Sequence, residues 1–335
     1  MTLKSVLSIA GSDSSGGAGI QADIKTIQSL GLYAQTVITA ITAQNTFQVT
    51  RAQAVDDDLI QAQIDAVFAD IVPNAVKIGM VATSGVMRTI AQSLRPYVQQ
   101  HHIPVVLDPV MVSTSGALLI ERDAVAALLE TLVPLAQLIT PNLHEARVLV
   151  DALGADAAAS DGVVADDDAC GDGTPVPATI APDDAPVPAT IAPAAQTPVP
   201  AADAPAALGS VPTDETTLAT SEHKQEAAAL RIARATQTRV LVKGGHAHGH
   251  ASDVLAYPDG RVVWFRAQRI DNKNNHGSGC TLSSALACAY AQGKSTRDAV
   301  QYAKYYVQGA LSAQLNLGKG SGPLNHNWMH APALQ

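Results

Sequence analysis

Short apolar runs and amphipathic stretches alternate along the first half of the chain. The apolar run at residues 6–10 predicts a buried strand, and the helical spacing of apolar residues at 21–30 predicts a helix. Further strands are predicted at 33–41, 75–78, 105–108 and 138–140. Further helices are predicted at 84–100, 123–132 and 143–153, and another follows the acidic cap at 56–58. Continuously apolar strands that alternate with helices predict a central, mostly parallel sheet with helices on both faces.

The composition changes sharply at residue 154. Residues 154–221 are mostly Ala, Pro, Asp and Thr, and the octapeptide PVPATIAP occurs at both 175–182 and 186–193. Prolines at this density block helix and sheet, and few side chains could form a core. We predict a low-complexity, disordered insertion on the surface of one α/β domain; a partner-docking segment is the alternative.

Ordered sequence resumes at residue 222. A helix is predicted to residue 236, followed by a strand at 239–242, a hairpin formed by 253–257 and 262–266, and helices at 279–292 and 296–315. We therefore expect residues 1–153 and 222–335 to form a single domain.

Charge and cysteine content restrict the class of protein. The 335 residues carry a formal net charge of −9, which argues against a general nucleic-acid binder, because such proteins need basic patches. Three cysteines form no CxxC pair, and no run of about 18 apolar residues occurs. We expect a cytoplasmic protein without a membrane span.

The predicted strands end in small and polar residues. Ligands of doubly wound sheets bind beyond the carboxyl ends of the strands. The residues at those ends are Gly11, Gln44, Gly79, Met80, Asp108 and Asn142. The loop at 10–19 is rich in glycine but lacks both the GxGxxG and the GxxxxGK[ST] spacing, so we expect its backbone to wrap a small ligand. A purely structural turn is the alternative.

The segment 274–281, with the sequence NNHGSGCT, precedes an Ala-rich helix. Backbone N–H groups at such a helix start, together with the helix dipole, form an anion site that can stabilise a transferring phosphoryl group. The alternative is an ordinary glycine-rich helix start. Cys280 lies in the first turn, where we expect the dipole to lower the pKa of its thiol, so that it acts as a base or nucleophile. Otherwise it is a small buried residue.

Two acids and a lysine follow other strands. Asp108 ends a strand and Glu145 opens a helix, a combination that suits Mg²⁺ held largely through water. In the alternative, Asp108 caps a turn and Glu145 is a solvated acid in the first turn of a helix. Lys243 ends a strand before two glycines, which suits contact with nucleotide phosphates.

Seven segments in order resemble the hydroxymethylpyrimidine/phosphomethylpyrimidine kinase family of thiamine biosynthesis, within the ribokinase-like superfamily. They are AGSDSSGGAGIQADIKT from Ala10, VITAITAQNT from Val37, AVKIGM from Ala75, LDPVM from Leu107, TPNLHEA from Thr140, VLVKGGH from Val240 and HGSGCT from His276. The match covers the chain except for the insertion at 154–221.

The resemblance implies a ribokinase-like domain, a homodimer, ATP and Mg²⁺. It implies two successive transfers, in which an aminopyrimidine alcohol becomes a monophosphate and then a diphosphate. A vitamin B6 kinase on the same fold is the nearer alternative, and a non-catalytic ligand-binding protein is the more distant one. Ser278 stands where the family commonly has Thr, a conservative change because the backbone donors matter more than this side chain.

The resemblance also assigns roles to single residues. Gln44 reads the pyrimidine, since a carboxamide offers a donor and an acceptor to an amino group beside a ring nitrogen. The same pocket is lined by Gly11, Ala18, Asp23 and Met80. Catalysis is assigned to Cys280 as the base and to the anion-hole residues Gly277, Ser278 and Gly279. The nucleotide and metal ligands are Lys243 and Asn142 for ATP, and Asp108 and Glu145 for Mg²⁺.

Overall fold

The computed structural model describes residues 3–111, 124–160, 215–245 and 251–330. Nine strands in this part of the chain form one sheet. They are β1 (Ser5–Asp13), β2 (Tyr33–Gln44), β3 (Val49–Ala54), β4 (Ala75–Ile78), β5 (Val105–Leu107), β6 (Leu138–Ile139), β7 (Arg239–Val242), β8 (Asp253–Ala256) and β9 (Val262–Phe265). Their order across the sheet is β3-β2-β1-β4-β5-β6-β7-β8-β9. The pairs from β2 to β7 are parallel, whereas β3, β8 and β9 pair antiparallel to their neighbours.

Eight α-helices of the described residues flank this sheet. They are α1 (Gly19–Ser29), α2 (Asp57–Asp70), α3 (Ser84–His101), α4 (Ala124–Ala127), α5 (Leu143–Ser160), α6 (Glu215–Thr236), α7 (Ser278–Ala291) and α8 (Thr296–Ser312). The short α4 continues into a π-helical turn, Leu128–Leu132, and a 3₁₀ turn, Val133–Leu135. The predicted alternation of strands and helices and the mostly parallel sheet are confirmed.

The two faces of the sheet bury separate apolar clusters. Alternate strand residues such as Leu7, Val76 and Val240 pack with α2, α3, α5 and α6. Their neighbours Val6, Ala75 and Leu241 pack instead with α1, α7 and α8, because successive side chains of a strand point to opposite faces. Every residue of α7 from Thr281 onward is buried, so the helix that follows the anion-hole segment is fixed in the core.

Two elements differ from the predictions. The strand β3 was not predicted, because nearly all of its side chains are exposed and it carries no apolar pattern; backbone pairing with β2 holds it. The first strand runs on to Asp13, past the predicted start of the turn at Gly11, with a register shift between Ala10 and Ser12.

The segment predicted as an insertion is bracketed by helices. Helix α5 continues to Ser160 and α6 begins at Glu215, so both helices extend into the range 154–221. Residues 161–214, with both octapeptides, lie outside the described residues, and the insertion stays a prediction. In the part of the chain that the structure describes, no helix is long and apolar enough to cross a membrane.

Candidate active site

Two glycine loops meet at the carboxyl edge of the sheet. Gly277 has a φ of +81°, and a β-carbon there would overlap the carbonyl oxygen of Gly17. A β-carbon on Gly17 would in turn overlap the imidazole ring of His276. Only glycine at both positions lets the loop after β1 lie directly against the loop before α7.

Asp13 organises the first of these loops. One carboxylate oxygen accepts hydrogen bonds from the backbone and hydroxyl of Ser15, and the other accepts from the N–H groups of Gly17 and Ala18. The second oxygen also lies 2.9 Å from Nε2 of His276. Burial alone would raise the pKa of Asp13, but these hydrogen bonds outweigh it and hold the pKa at about 2.

Gln44, at the end of β2, lies beside the same junction. Its backbone N–H donates to the hydroxyl of Ser14, and that hydroxyl donates to the Gln44 carbonyl. Its carboxamide lies 3.2 Å from Nε2 of His276. Gly11 and Met80 are neighbours, because a β-carbon on Gly11 would lie 3.2 Å from the Met80 sulfur. The structure therefore brings Gln44 to the glycine loops, as its strand-end position predicted.

Ala18 and Asp23 lie on opposite sides of this loop. Ala18 precedes α1 and is within reach of Gly277. Asp23, in contrast, is fully buried beneath the loop: its carboxylate accepts from Lys77 at 2.8 Å, from Ser8 at 2.6 Å and from Ser284 at 2.7 Å. Helix α1 turns the Asp23 side chain toward the sheet and α7. Its place in the ligand pocket stays a prediction.

Lys77 is the partner that the sequence reading missed. It is fully buried, with its ammonium group paired to Asp23. Burial disfavours the ammonium ion, but the negative charges of Asp23 and Asp108 outweigh it and raise the pKa of Lys77 above its ordinary range. A lysine in the otherwise apolar strand AVKI was the available signal, since a buried lysine needs an acidic partner.

Cys280 lies in the first turn of α7 and is partly exposed. Burial raises the pKa of its thiol to about 11; the positive charge of Lys77 opposes this shift, and the negative charges of Asp23 and Asp108 add to it. The expected lowering of this pKa by the helix dipole is therefore wrong, because desolvation and nearby carboxylates outweigh the dipole. At neutral pH the resting thiol keeps its proton.

The start of α7 has the geometry expected of an anion site. The first-turn N–H groups of a helix have no intrahelical acceptor; here the N–H of Ser278 donates to Asn275, and those of Gly279 and Cys280 follow in the same turn. A β-carbon on Gly279 would lie 3.4 Å from both a carboxylate oxygen of Asp108 and Nζ of Lys243. Residues 277–280 therefore lie at the same edge of the sheet as Asp108 and Lys243.

Asp108 and Lys243 form that pair, with 2.8 Å between a carboxylate oxygen and Nζ. Asp108 also accepts from the hydroxyls of Thr140, at 3.1 Å, and Ser283, at 3.3 Å. Burial would raise the pKa of Asp108, but the ammonium groups of Lys243 and Lys77 lower it below its ordinary value. Asp108 is therefore ionised in the folded chain.

Glu145 and Asn142 form a reciprocal cap at the start of α5. The Asn142 oxygen accepts from the N–H groups of His144 and Glu145, and Glu145 accepts from the Asn142 N–H at 2.7 Å. Burial raises the pKa of Glu145 to about 7; the positive charge of Lys243 opposes this shift, and the negative charge of Asp108 adds to it. Glu145 is a first-turn acid but a buried one, so the alternative of a solvated acid is wrong, and its role toward Mg²⁺ stays a prediction.

A glycine-rich helix start, a lysine–aspartate pair and a second buried carboxyl group lie together at the ligand edge of an α/β sheet. This combination is typical of enzymes that transfer phosphoryl groups to small molecules. The phosphomethylpyrimidine kinase family matches residues 13–165 and 211–325. The chain belongs to this family.

Curated relatives and solved structures agree with this assignment. The chain is 39% identical over 323 residues to the hydroxymethylpyrimidine/phosphomethylpyrimidine kinase of Rhizobium meliloti, with 96% of each chain covered. It is 36% identical to the kinase of the same name from Streptomyces coelicolor, with 96% of this chain and 94% of the relative covered.

Among solved structures, phosphomethylpyrimidine kinase from Clostridium difficile has a TM-score of 0.61 at 31% identity, with 91% of this chain and 98% of that chain covered. An ADP complex of Bacillus subtilis pyridoxal kinase has a TM-score of 0.70 at 26% identity, with 99% and 100% covered. The fold is therefore ribokinase-like, and the chain is a small-molecule kinase that uses ATP.

Proposed function

We propose that the chain phosphorylates 4-amino-5-hydroxymethyl-2-methylpyrimidine to its monophosphate and then to its diphosphate, as a step of thiamine biosynthesis. The observation that carries this proposal is the position of Gln44, whose carboxamide lies beside the junction of the two glycine loops. An amino group next to a ring nitrogen offers one donor and one acceptor, which match the two ends of a carboxamide. Gly11, Ala18 and Met80 contact the ring in this proposal.

The residues proposed for the nucleotide and the metal lie beside the start of α7. Lys243 would contact the ATP phosphates with the Asn142 side-chain nitrogen assisting it, and Asp108 and Glu145 would hold Mg²⁺. The donor set fits this ion, because two interacting buried carboxyl groups suit a cation that keeps most of its water. Among the described residues no group of three or more acidic, His or Cys side chains could hold a metal. When bound, Mg²⁺ would neutralise charge on the phosphates.

The two transfers make different demands on Cys280. In the first, the substrate oxygen bonds to the γ-phosphorus of ATP while the bond from that phosphorus to the β-phosphate oxygen breaks and ADP leaves, and the hydroxyl proton passes to the Cys280 thiolate. The thiol must first ionise, and the nearby positive charge of Lys77 favours the thiolate. In the second transfer the acceptor is already a phosphate anion, so the N–H groups of Gly277 and Gly279 and the positive charge of Lys243 carry the step, while the N–H of Ser278 donates to Asn275.

The deciding experiment is ATP turnover by the purified chain with the aminopyrimidine alcohol and, separately, with its monophosphate. We expect both to be phosphorylated. A pyridoxal kinase is the second candidate, because the TM-score with the Bacillus subtilis pyridoxal kinase is higher than that with the Clostridium difficile enzyme. A kcat/KM that favours pyridoxal over the pyrimidine would replace our substrate assignment.

The resemblance to the family also implies a homodimer. Exposed apolar side chains near the unpaired edge of β3, among them Ile41 and Phe47, support this proposal. Light scattering on the purified chain should give twice the mass of 34.6 kDa. A monomer at all concentrations would contradict it.

A further inference from the structure

Asp13, His276 and Gln44 form a continuous chain of contacts that joins the two glycine loops to the end of β2. Nε2 of His276 lies 2.9 Å from a carboxylate oxygen of Asp13 and 3.2 Å from the carboxamide of Gln44. Asp13 and His276 are 3% and 4% exposed, so these contacts form away from bulk water. One imidazole nitrogen therefore faces two partners at once.

The protonation of this nitrogen follows from its first partner. The hydrogen bonds around Asp13 keep its pKa at about 2, so its carboxylate is ionised at neutral pH and can only accept. Nε2 of His276 must then carry a hydrogen and act as a donor. The single hydrogen on Nε2 points to Asp13 at 2.9 Å, and the nitrogen has no lone pair left to accept an N–H from Gln44 at 3.2 Å, so the carboxamide must face it with its oxygen.

The contact between the Gln44 carboxamide and Thr42 also favours the orientation with the oxygen toward His276. The Thr42 hydroxyl donates to the Ser12 carbonyl at 2.9 Å, so this hydroxyl is left to accept from Gln44, which is 3.4 Å away. The Gln44 nitrogen lies toward His276 and the Gln44 oxygen toward Thr42, so that the N–H groups of Gln44 and His276 face each other. Oxygen and nitrogen of an amide are distinguished by their hydrogen-bond partners, and both partners here require the reverse assignment.

His276 is held rigidly enough to impose this orientation. Its ring packs against the backbone of Gly17, where a β-carbon would overlap it. The backbone N–H of His276 donates to the carbonyl of Gly322 at 3.1 Å, which anchors the residue that carries the ring. The ring is therefore fixed by loops on two sides before any ligand enters.

We propose that His276 is a positioning residue that fixes the carboxamide of Gln44 with its oxygen toward the imidazole and its nitrogen toward Thr42. The site then selects heteroaromatic alcohols that carry an amino group next to a ring nitrogen, and it discriminates against the opposite order of donor and acceptor. The inference rests on the proposed function, since it concerns how Gln44 reads the same ring.

The first test is a double-mutant cycle on KM for the aminopyrimidine alcohol. His276→Leu removes the N–H donor, whereas His276→Gln keeps a donor near the position of Nε2. We expect His276→Leu to raise KM at least tenfold with kcat within threefold of wild type, and His276→Gln to change KM less than threefold. In a Gln44→Ala background, His276→Leu should raise KM by less than twofold.

A second variant leaves His276 intact and keeps the test valid if His276→Leu does not fold. Gln44→Glu accepts from His276 with either oxygen but cannot donate to a ring nitrogen. We expect it to lower kcat/KM at least tenfold for the aminopyrimidine alcohol, and less than threefold for the analogue in which that ring nitrogen is replaced by CH. Equal losses for both compounds would overturn the inference.

The remaining outcomes separate the two proposals. If wild type phosphorylates the aminopyrimidine but the His276 and Gln44 effects on KM are additive, His276 does not act through Gln44 and the inference fails alone. If wild type does not phosphorylate the aminopyrimidine at all, the proposed function fails, and the inference fails with it.

Discussion

Three titratable side chains at the ligand edge take different charge states at neutral pH. Hydrogen bonds hold the pKa of Asp13 at about 2, whereas burial raises the pKa of Glu145 to about 7 and that of Cys280 to about 11. The difference follows from the number of donors each group meets, since Asp13 accepts several hydrogen bonds and the thiol sits near two carboxylates. One edge of the sheet thus holds a fixed anion, an acid that titrates near neutrality and a protonated thiol.

The raised pKa of Glu145 makes stability depend on pH. As the pH rises from the ordinary value of 4.5 to about 7, the unfolded chain has lost this proton and the folded chain still holds it, so stability falls across that window. Relative to Glu145→Gln, the wild type should lose up to about 3 kcal/mol between pH 4.5 and pH 8, measured by urea unfolding without divalent cations. Glu130→Gln, the same change at an exposed position, should not alter the pH dependence. Parallel curves for wild type and Glu145→Gln would contradict the shift.

The role proposed for Cys280 predicts unequal losses in the two transfers. Cys280→Ala should lower kcat/KM of the first transfer about a hundredfold, because only the alcohol must lose a proton, and that of the second less than about fivefold. The wild-type rate of the first transfer should rise between pH 7 and pH 9, as the thiolate becomes more populated. Steady-state kinetics with each acceptor measures both effects.

Cys288→Ala is the matched control, since this cysteine is buried in the same helix. Equal losses in both transfers would mean that Cys280 only lines the anion site.

At the scale of elements, the sequence predicted those that bury an apolar face. The strands at 75–78 and 239–242 have the predicted bounds, because all four residues of each are buried. The strand β3 has no such face, and only its backbone pairing reveals it. The turn that follows α4 is π-helical, a departure that periodicity cannot indicate.

The site residues also divide into those that the strand pattern could predict and those that it could not. Gln44, Asp108 and Lys243 could be predicted because each ends a strand, and parallel strands end at one edge. Asp13 and His276 could not be paired, because they are 263 residues apart and nothing local links them. The true partner of Asp23 was missed for the same reason, since it is supplied by another strand.

The contact between the glycine loops can be tested with a matched pair of substitutions. Gly277→Ala and Gly293→Ala both place a β-carbon at a φ of +81°, so both carry a similar backbone strain of about 1 kcal/mol. Only at Gly277 would the β-carbon overlap the neighbouring loop, whereas at Gly293 nothing lies within 4 Å. We expect Gly277→Ala to lower kcat at least a hundredfold and Gly293→Ala less than twofold. Similar losses in both variants would show that the loop contact does not matter for turnover.

At the scale of the whole molecule, the described residues form a nine-stranded sheet with helices on both faces. The described helices α5 and α6 pack beside each other, as the proximity of Gly154 to Arg231 indicates, and both bury apolar residues against the same face of the sheet. The ends of a segment between them can therefore be joined over a short distance. Both helices belong to the matched family regions, which extend to 165 and resume at 211.

Deletion of residues 161–214, with a flexible linker of about eight residues in their place, should leave kcat/KM within twofold of wild type. Shortening a surface loop changes closure entropy by only about 1–2 kcal/mol, and in the favourable direction. Turnover and thermal unfolding of both proteins measure the effect. Loss of soluble, folded protein would show that this segment contributes to the core.

The contact between Gly17 and Gly277 also has a consequence during synthesis. A ribosome that makes about 5–20 residues per second needs roughly 15–50 s to pass from the first loop to the second. Until then, the emerging polypeptide has the strand ends that carry Asp108 and Lys243 but not the helix start that stabilises the transferring group. Chains that have not yet reached His276 therefore lack the helix start proposed for the transfer, and the two loops can meet only after this segment has been synthesised.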